Sequence, residues 1–534
     1  MFEYLVHSLL MVSYYRKYKR YKKNLRNCET IQRLKLAEMI NKNRNSVYGQ
    51  SNYFSRVQSA EDFQKKIPLS VYEDYERLIQ RIATGEENVL TKEPVLLLKP
   101  TSGSSGIKKL IPYTQSLKDE FRYGIAPWLF SLYKDFPVLK KGPSYWSISP
   151  KMSDHEERYS ENNSVFIGQE EDASYLGRWG KYIRKLIFAV PNETEDITDL
   201  NRFRDQTLAH LLSRSELRLL SVWSPTFFLL LIDHLLIRKQ IVLELCEALC
   251  TVKRFEELTD LFSKEETVKI LPLLWRNLEV CSCWTHGQSK VYSEKIQEYF
   301  PDITIQSKGL IATEGFISLP FHQNVDPVLS IYSHFYEFQS IDDEAIHFAW
   351  RLEMGKRYKI IITTGGGFYR YQLGDVVEVT GFVGNTPTLI FISNSTRIDL
   401  FGEKIESHFV AELLYEVFQK LSISPDFYFL SPISSGTTAK YVLYIKSETL
   451  EQKNFHTISL LLESKLLENY HYKYCRKLGQ LEHSQVFLIN KNTNPVGLYK
   501  KHMNLKGLKY GDIKCPVIDN HFNWSQIFAG AFIK

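Results

Sequence analysis

With 534 residues the chain exceeds what one compact core ordinarily holds, so two or more domains are expected. An apolar fraction of 44% with 24% charged residues is that of a globular protein and excludes long disorder. The net charge of +6, from 67 basic and 61 acidic residues, leaves no excess to neutralise a nucleic-acid backbone, so nucleic acid is not an expected partner.

The basic excess lies at the start. Arg16, Lys17, Lys19, Arg20, Lys22, Lys23 and Arg26 follow an apolar run from Leu5 to Tyr15, the reverse of a secretory signal. The pattern predicts an amphipathic first helix packed on the body, although a helix lying on a membrane surface would use the same pattern. Residues 30–90 carry Leu, Lys and Glu at helical spacing, broken at Pro68 and Gly85. From Val95 a short apolar run predicts a strand, followed by a loop of small residues and a helix from Gln115.

That loop, Thr101, Ser102, Gly103, Ser104, Ser105 and Gly106, precedes Lys108 and Lys109. Glycines let backbone amides turn around an anion, hydroxyls donate to phosphate oxygens, and a lysine neutralises charge. The glycine spacing is not that of a Walker loop, and a flexible surface turn has the same composition.

Further strands are expected at 144–148, 217–222, 279–284, 303–307 and 389–392, with helices such as 204–213 and 255–262 between several of them. The stretch 219–237 is too polar, with Asp233 and His234, for a membrane span, and reads as a buried helix with Pro225 in its first turn. No stable membrane insertion is expected. Seven scattered cysteines suit free thiols in a reducing, cytoplasmic setting; the pairs Cys246/Cys250 and Cys281/Cys283 read as buried structural residues rather than a metal site.

Ala312-Thr313-Glu314-Gly315 sets a hydroxyl beside a carboxylate, a pair able to meet phosphate and Mg²⁺ together; a helix cap or a solvated turn would also explain it. Tyr358–Thr364 and Phe368–Tyr371 read as strands around Gly365-Gly366-Gly367, and Gly374-Asp375 as a turn whose aspartate could accept both hydrogen bonds of a ribose diol. Arg397 to Glu406, with Asp399 and Lys404, follows a boundary expected near residue 396. Strands alternating with helices predict an α/β architecture with partly parallel sheets. Residues 1–395 are expected to form a large N-terminal domain, with 1–90 as its helical lead-in, and 396–534 a small mobile C-terminal one.

In order and spacing these motifs resemble the adenylate-forming enzymes, in particular the acyl-acid-amido synthetases known as the auxin-responsive Gretchen Hagen family. Thr101 to Pro112 is similar to the family's first motif, Ala312 to Gly315 to its second and Tyr371 to Val377 to its third. Val222-Trp223-Ser224-Pro225-Thr226 and Cys283-Trp284-Thr285-His286-Gly287 look like the family's bacterial members. The resemblance implies a large domain with mixed sheets flanked by helices and a small α+β C-terminal domain. It also implies a ligase that uses ATP and Mg²⁺ to form an acyl-adenylate from a carboxylic acid, releases pyrophosphate, and passes the acyl group to an amino acid or other amine.

By the same resemblance the first loop and Lys109 would hold phosphates, Thr313 and Glu314 would serve phosphate and metal, and Asp375 would bind ribose. Arg397 and Asp399 would form the hinge, while Lys404 near the nucleotide and Lys514 at the α-phosphate would be the catalytic lysines. Gln372 stands where the third motif usually has Arg, with Arg370 two residues earlier to compensate. Leu310 stands where related enzymes place an aromatic against adenine. The acyl pocket is expected from dispersed apolar residues in 120–240. An acyl-coenzyme A ligase and an inactive nucleotide- or acyl-binding relative are the alternatives.

Overall fold

The computed structural model describes residues 2–101, 109–147, 158–159, 165–167, 185–264, 268–287, 289–322, 325–394, 397–398, 400–435, 438–506, 508, 510, 513–520 and 524–533. Helices occupy most of the first 83 residues: α1 (Phe2–Asn24), α2 (Cys28–Asn43), α3 (Ala60–Lys66) and α4 (Glu76–Ala83). As the sequence pattern predicts, α1 packs on the body. It buries Val6, Met11, Tyr14, Tyr18 and Tyr21 against α5 (Gln115–Asp135), and Tyr18 stacks between Phe130 and Phe321. Helix α2 is pinned by Gln32, a fully buried amide. Its Nε2 donates to the carbonyls of Ile331 and His334 at 2.9 and 2.8 Å, and its Oε1 accepts from the Tyr336 amide.

The segment after residue 95 departs from the expected strand, loop and helix. β1 (Leu97–Thr101) pairs antiparallel with β2 (Lys109–Tyr113), Thr101 opposite Lys109, so the small-residue stretch joins the strands of a hairpin. Pro112 disguises β2 in the sequence, yet β2 is an edge strand, where a missing amide donor costs no ladder bond. β4 (Arg158–Tyr159) and β5 (Phe166–Ile167) complete this sheet in the order β2-β1-β5-β4.

A second sheet is parallel throughout: β3 (Ser144–Trp146), β6 (Leu219–Ser221), β7 (Val280–Cys283) and β8 (Thr304–Ser307), each within its expected segment. Its strands alternate with α6 (Leu200–Ser213), α7 (Pro225–Glu247), α8 (Val252–Ser263) and α9 (Ser289–Tyr299). The buried helix starts at Pro225, which lies in its first turn as expected, and residues 219–221 before it are strand. Its leucines, with Cys246, Cys281 and Cys283, form a continuous core. None of the seven cysteines forms a disulfide, and no group of three metal-ligating side chains occurs among the described residues.

The third sheet has seven antiparallel strands in the order β12-β11-β13-β14-β15-β10-β9: β9 (Ser318–Leu319), β10 (Val328–Leu329), β11 (Phe335–Ser340), β12 (Ile346–Phe348), β13 (Arg357–Thr363), β14 (Tyr371–Val383) and β15 (Thr386–Asn394). After it come a small hairpin, β16 (Arg397–Ile398) with β17 (Ile405–Glu406), and a four-stranded sheet of β18 (Phe427–Ser435), β19 (Thr438–Lys446), β20 (Gln485–Ile489) and β21 (Gly530–Phe532). Period-two alternation makes β19 serve two cores. Tyr441, Leu443 and Ile445 face a cluster with α10 (Ser407–Leu421), α11 (Phe455–Leu466) and α12 (Tyr470–Lys477), while Val442 and Tyr444 join Tyr499 of α13 (Pro495–Leu505) and Trp524. Among the described residues, no helix is long and apolar enough to cross a membrane.

Replacing Gln32 with Leu leaves three buried backbone groups without partners. The variant is expected to lose about 2–5 kcal/mol of stability, read as a lower denaturant midpoint.

Candidate active site

Of the phosphate-loop candidates, Ser102, Gly103, Ser104, Ser105, Gly106 and Lys108 lie outside the described residues, and Thr101 is the last residue of β1. Lys109 opens β2, half-buried, with its ammonium 5.4 Å from the centre of the Tyr72 ring. The Leu110 amide donates to the Tyr72 hydroxyl at 2.7 Å, which fixes that ring beneath the strand.

Thr313, Glu314 and Gly315 form a tight turn between Ile311 and Phe316, which bridge to each other, and the Ala312 amide donates to the Gly315 carbonyl at 2.9 Å. Two buried partners hold the turn. The Tyr113 hydroxyl donates to the Thr313 carbonyl at 2.8 Å, and the Phe316 amide donates to His334 Nε2 at 2.8 Å. Because Nε2 accepts, the ring's proton is on Nδ1, which faces Glu120 at 2.8 Å. A β-carbon at position 315 would stand 2.8 Å from His334 Nε2, so only glycine fits over this histidine. Glu120 also meets Lys35 at 2.9 Å and accepts from the Gly365 amide at 2.8 Å. Burial pushes its carboxyl up, but Lys35 and His334 together bring it below the ordinary value. One buried carboxylate on α5 thus braces both the Thr313–Gly315 turn and the glycine-rich turn after β13.

Asp375 is inside β14 and not in the expected turn. Lys359 pairs with Val376 and Ile361 with Gln372, so Leu373, Gly374 and Asp375 bulge opposite Ile360 alone, with Gly374 at φ +87°. Such a bulge re-aims a side chain without ending the strand, and here it brings Asp375 near Glu314. Burial pushes the Asp375 carboxyl up to about 6, with Lys514 opposing. Burial likewise raises Glu314, where Lys109 opposes the shift and Asp375 adds to it. Lys109, Glu314, Asp375 and Lys514 therefore share one electrostatic neighbourhood.

Lys514 arrives from the far end of the chain. Its ammonium is 4.0 Å from the Trp284 ring centre and 5.3 Å from that of Phe391. Trp284 follows β7 and Trp223 follows β6, at the carboxyl edge of the parallel sheet, with their rings 6.1 Å apart. Lys308, buried just after β8, lies 4.2 Å from Trp223 and near Trp128 and Trp146. Four residues before Lys514, Tyr510 enters the core of the parallel-sheet region and accepts a hydrogen bond from Arg204. Motif reasoning assigns no role to Trp223, Trp284, Lys308, Phe391, Glu120, His334, Arg204 or Tyr510. Only the two tryptophans carry a signal, through their Trp-Ser-Pro-Thr and Trp-Thr-His-Gly runs.

Arg397 pairs opposite Glu406 in the β16–β17 hairpin, and Asp399 lies outside the described residues. Lys404, exposed at φ +51°, is not the lysine beside Asp375. Glu403 is buried there and accepts from the Leu400 and Phe401 amides and from the Tyr441 hydroxyl, so it shapes the hairpin. Arg370 does not compensate for Gln372. Its guanidinium is buried, paired with Glu337 at 2.9 and 3.0 Å, and donates to the carbonyls of Gln64 and Ile67, which makes it a core brace.

The fold is shared with the structure of "AtGH3.15 acyl acid amido synthetase in complex with 2,4-DB", at a TM-score of 0.81 and 18% identity over 97% of each chain. Residues 17–305 match the GH3 family N-terminal domain and residues 327–394 the GH3 family central domain, and the chain belongs to the GH3 family. Similar curated proteins include "Jasmonoyl--L-amino acid synthetase GH3.5" of Oryza sativa subsp. japonica, 25% identical over 70% of this chain and 71% of that one. Another is "Indole-3-acetic acid-amido synthetase GH3.2" of Arabidopsis thaliana, 23% identical over 69% of this chain and 74% of that one.

Two outcomes follow from the site's electrostatics. Asp375 holds its proton more tightly folded than unfolded, so its contribution to stability is fullest below about pH 4 and is lost as pH rises through 6. Asp375→Asn is expected to be more stable than the parent at pH 7 by up to about 3 kcal/mol; thermal unfolding should show that gap closing as pH falls towards 4. Glu120→Ala leaves Lys35 and the Gly365 amide without their acceptor and is expected to cost about 3–5 kcal/mol, measured by denaturant unfolding.

Proposed function

We propose that this protein is an ATP-dependent acyl acid amido synthetase. One observation carries the reading: Lys109, Glu314, Asp375 and Lys514, from four distant stretches of chain, meet in one neighbourhood of alternating charge. The synthetase names of its relatives, together with family membership, support the same chemistry.

A carboxylate attacking a triphosphate meets like charge, so cations have to stand at the phosphorus before the bond forms. In this reading Lys109 and the Thr101–Gly106 loop hold the β- and γ-phosphates, Asp375 accepts from the ribose diol, and Lys514 neutralises the α-phosphate. The substrate carboxylate oxygen bonds to the α-phosphorus while the bond to the β-phosphate bridge breaks, releasing pyrophosphate. An amine nitrogen, that of an amino acid in the relatives named above, then bonds to the acyl carbon. The acyl-oxygen bond breaks, AMP leaves and a proton passes to solvent. Mg²⁺ fits the donors present: Glu314 is a carboxylate raised by burial and by a second carboxylate, Asp375, and hard cations use one or two carboxylates plus phosphate. Glu314 would hold the ion with Thr313, and it would supply charge neutralisation at the phosphates.

The reading divides the chain near residue 396 into a large domain carrying the first three motifs and a smaller one delivering Lys514, with Arg397, Asp399 and Lys404 at the hinge. A cytoplasmic setting fits seven cysteines that form no disulfide.

The test is acid-dependent exchange of pyrophosphate into ATP across a panel of carboxylic acids, followed by mass spectrometry of products formed with amino acids or coenzyme A. Exchange with some acid and an amide product are expected; a thioester alone, or a folded protein giving no exchange, overturns the reading. Lys514→Ala should lose exchange by roughly 10²–10³-fold while ATP affinity, read by calorimetry, changes only several-fold. Equal losses in both would mean that the lysine binds nucleotide rather than stabilising transfer.

A further inference from the structure

Exposed large apolar side chains such as Met354 and Leu505 stand singly and need no partner. The outer face of α1 differs. Tyr4, Leu5, Leu9, Val12 and Tyr15 are 47–73% exposed along its first half, although the opposite face is buried on the body. Over the second half the same outer arc continues as Arg16, Lys19, Arg20, Lys22 and Lys23, all exposed. At 100° per residue these ten positions fall within one half of the helix circumference. No Asp or Glu occurs from Tyr4 to Cys28, and Glu3, just before this face, is held by Arg214 at 2.9 Å. Lys140, near His7, and the exposed Lys141 add basic charge on the short helical turn packed against α1.

We propose that this face docks on an anionic lipid surface, with the helix lying in the interface plane. Leu5, Leu9 and Val12 would sink below the headgroups while the lysines and arginines bind lipid phosphates and carboxylates. A second copy of the chain is a poor occupant. Laid parallel it would set lysine against lysine, and laid antiparallel it would set lysine against leucine. A bilayer edge offers apolar depth and negative charge side by side, the pairing this helix presents.

The experiment is co-sedimentation of the full chain with vesicles of phosphatidylcholine, with and without phosphatidylserine, at low and high salt. The expected result is binding that requires phosphatidylserine and weakens in salt. Arg16→Glu, Lys19→Glu and Lys23→Glu together should reduce it by more than about tenfold. Leu9→Ser with Val12→Ser should reduce it even on the anionic vesicles. These positions are outside the candidate active site, and thermal unfolding checks that each variant is folded. Binding equal on both vesicle types, no binding, or insensitivity to the charge reversal overturns the proposal. So does a dimer, seen by light scattering, that the serine variant abolishes.

Discussion

Two carboxylates that would repel each other, Glu314 and Asp375, are kept together in a half-buried site, and much of the surrounding structure serves to hold them there. Neither holds its charge cheaply: burial raises the proton affinity of both, and each depends on a lysine from another region of the chain for relief. Lys109 comes from a hairpin near the beginning and Lys514 from a segment near the end. An anionic ligand carrying its own cation would enter a place already built for alternating charge, where electrostatic work has been done in folding rather than left to the reaction.

Holding backbone turns at such a site requires rigid support. Glu120 provides it from inside the core, joining a helix, the histidine under one turn and the amide of another. Arg370 plays a comparable role a layer away, tying β11 to the lead-in helices through Glu337, Gln64 and Ile67. Both use buried ionic groups whose lone pairs and protons are met by backbone as well as by counter-charge, the condition under which such groups are tolerated.

The motifs are legible where chemistry is local. Thr-Glu-Gly and the two tryptophan runs stand out in adjacent residues, and the parallel strands in short apolar runs. Reading fails where meaning depends on a distant partner. Gly374-Asp375 reads as a turn because glycine before aspartate usually is one, and only pairing with Lys359 and Ile361 reveals a bulge. Arg370 reads as functional from its position in a motif, since nothing nearby announces Glu337. Lys109 to Tyr113 hides a strand behind a proline that an edge position makes harmless. Single residues such as Glu120 and Lys308 carry no spacing signal at all; burial and neighbours alone give them meaning.

Tyr510 has a bearing on timing. Its ring fills a place among the leucines of the parallel-sheet core and its hydroxyl is held by Arg204, four residues from the lysine at Asp375. Withdrawing Lys514 by any large distance therefore means extracting an aromatic ring from an apolar socket, which costs on the order of 2–3 kcal/mol, or up to roughly a hundredfold in population. The tyrosine acts as a detent: it gives the lysine segment a preferred resting place independent of any ligand, and the residence time in that place becomes a property of the socket rather than of the chemistry beside it.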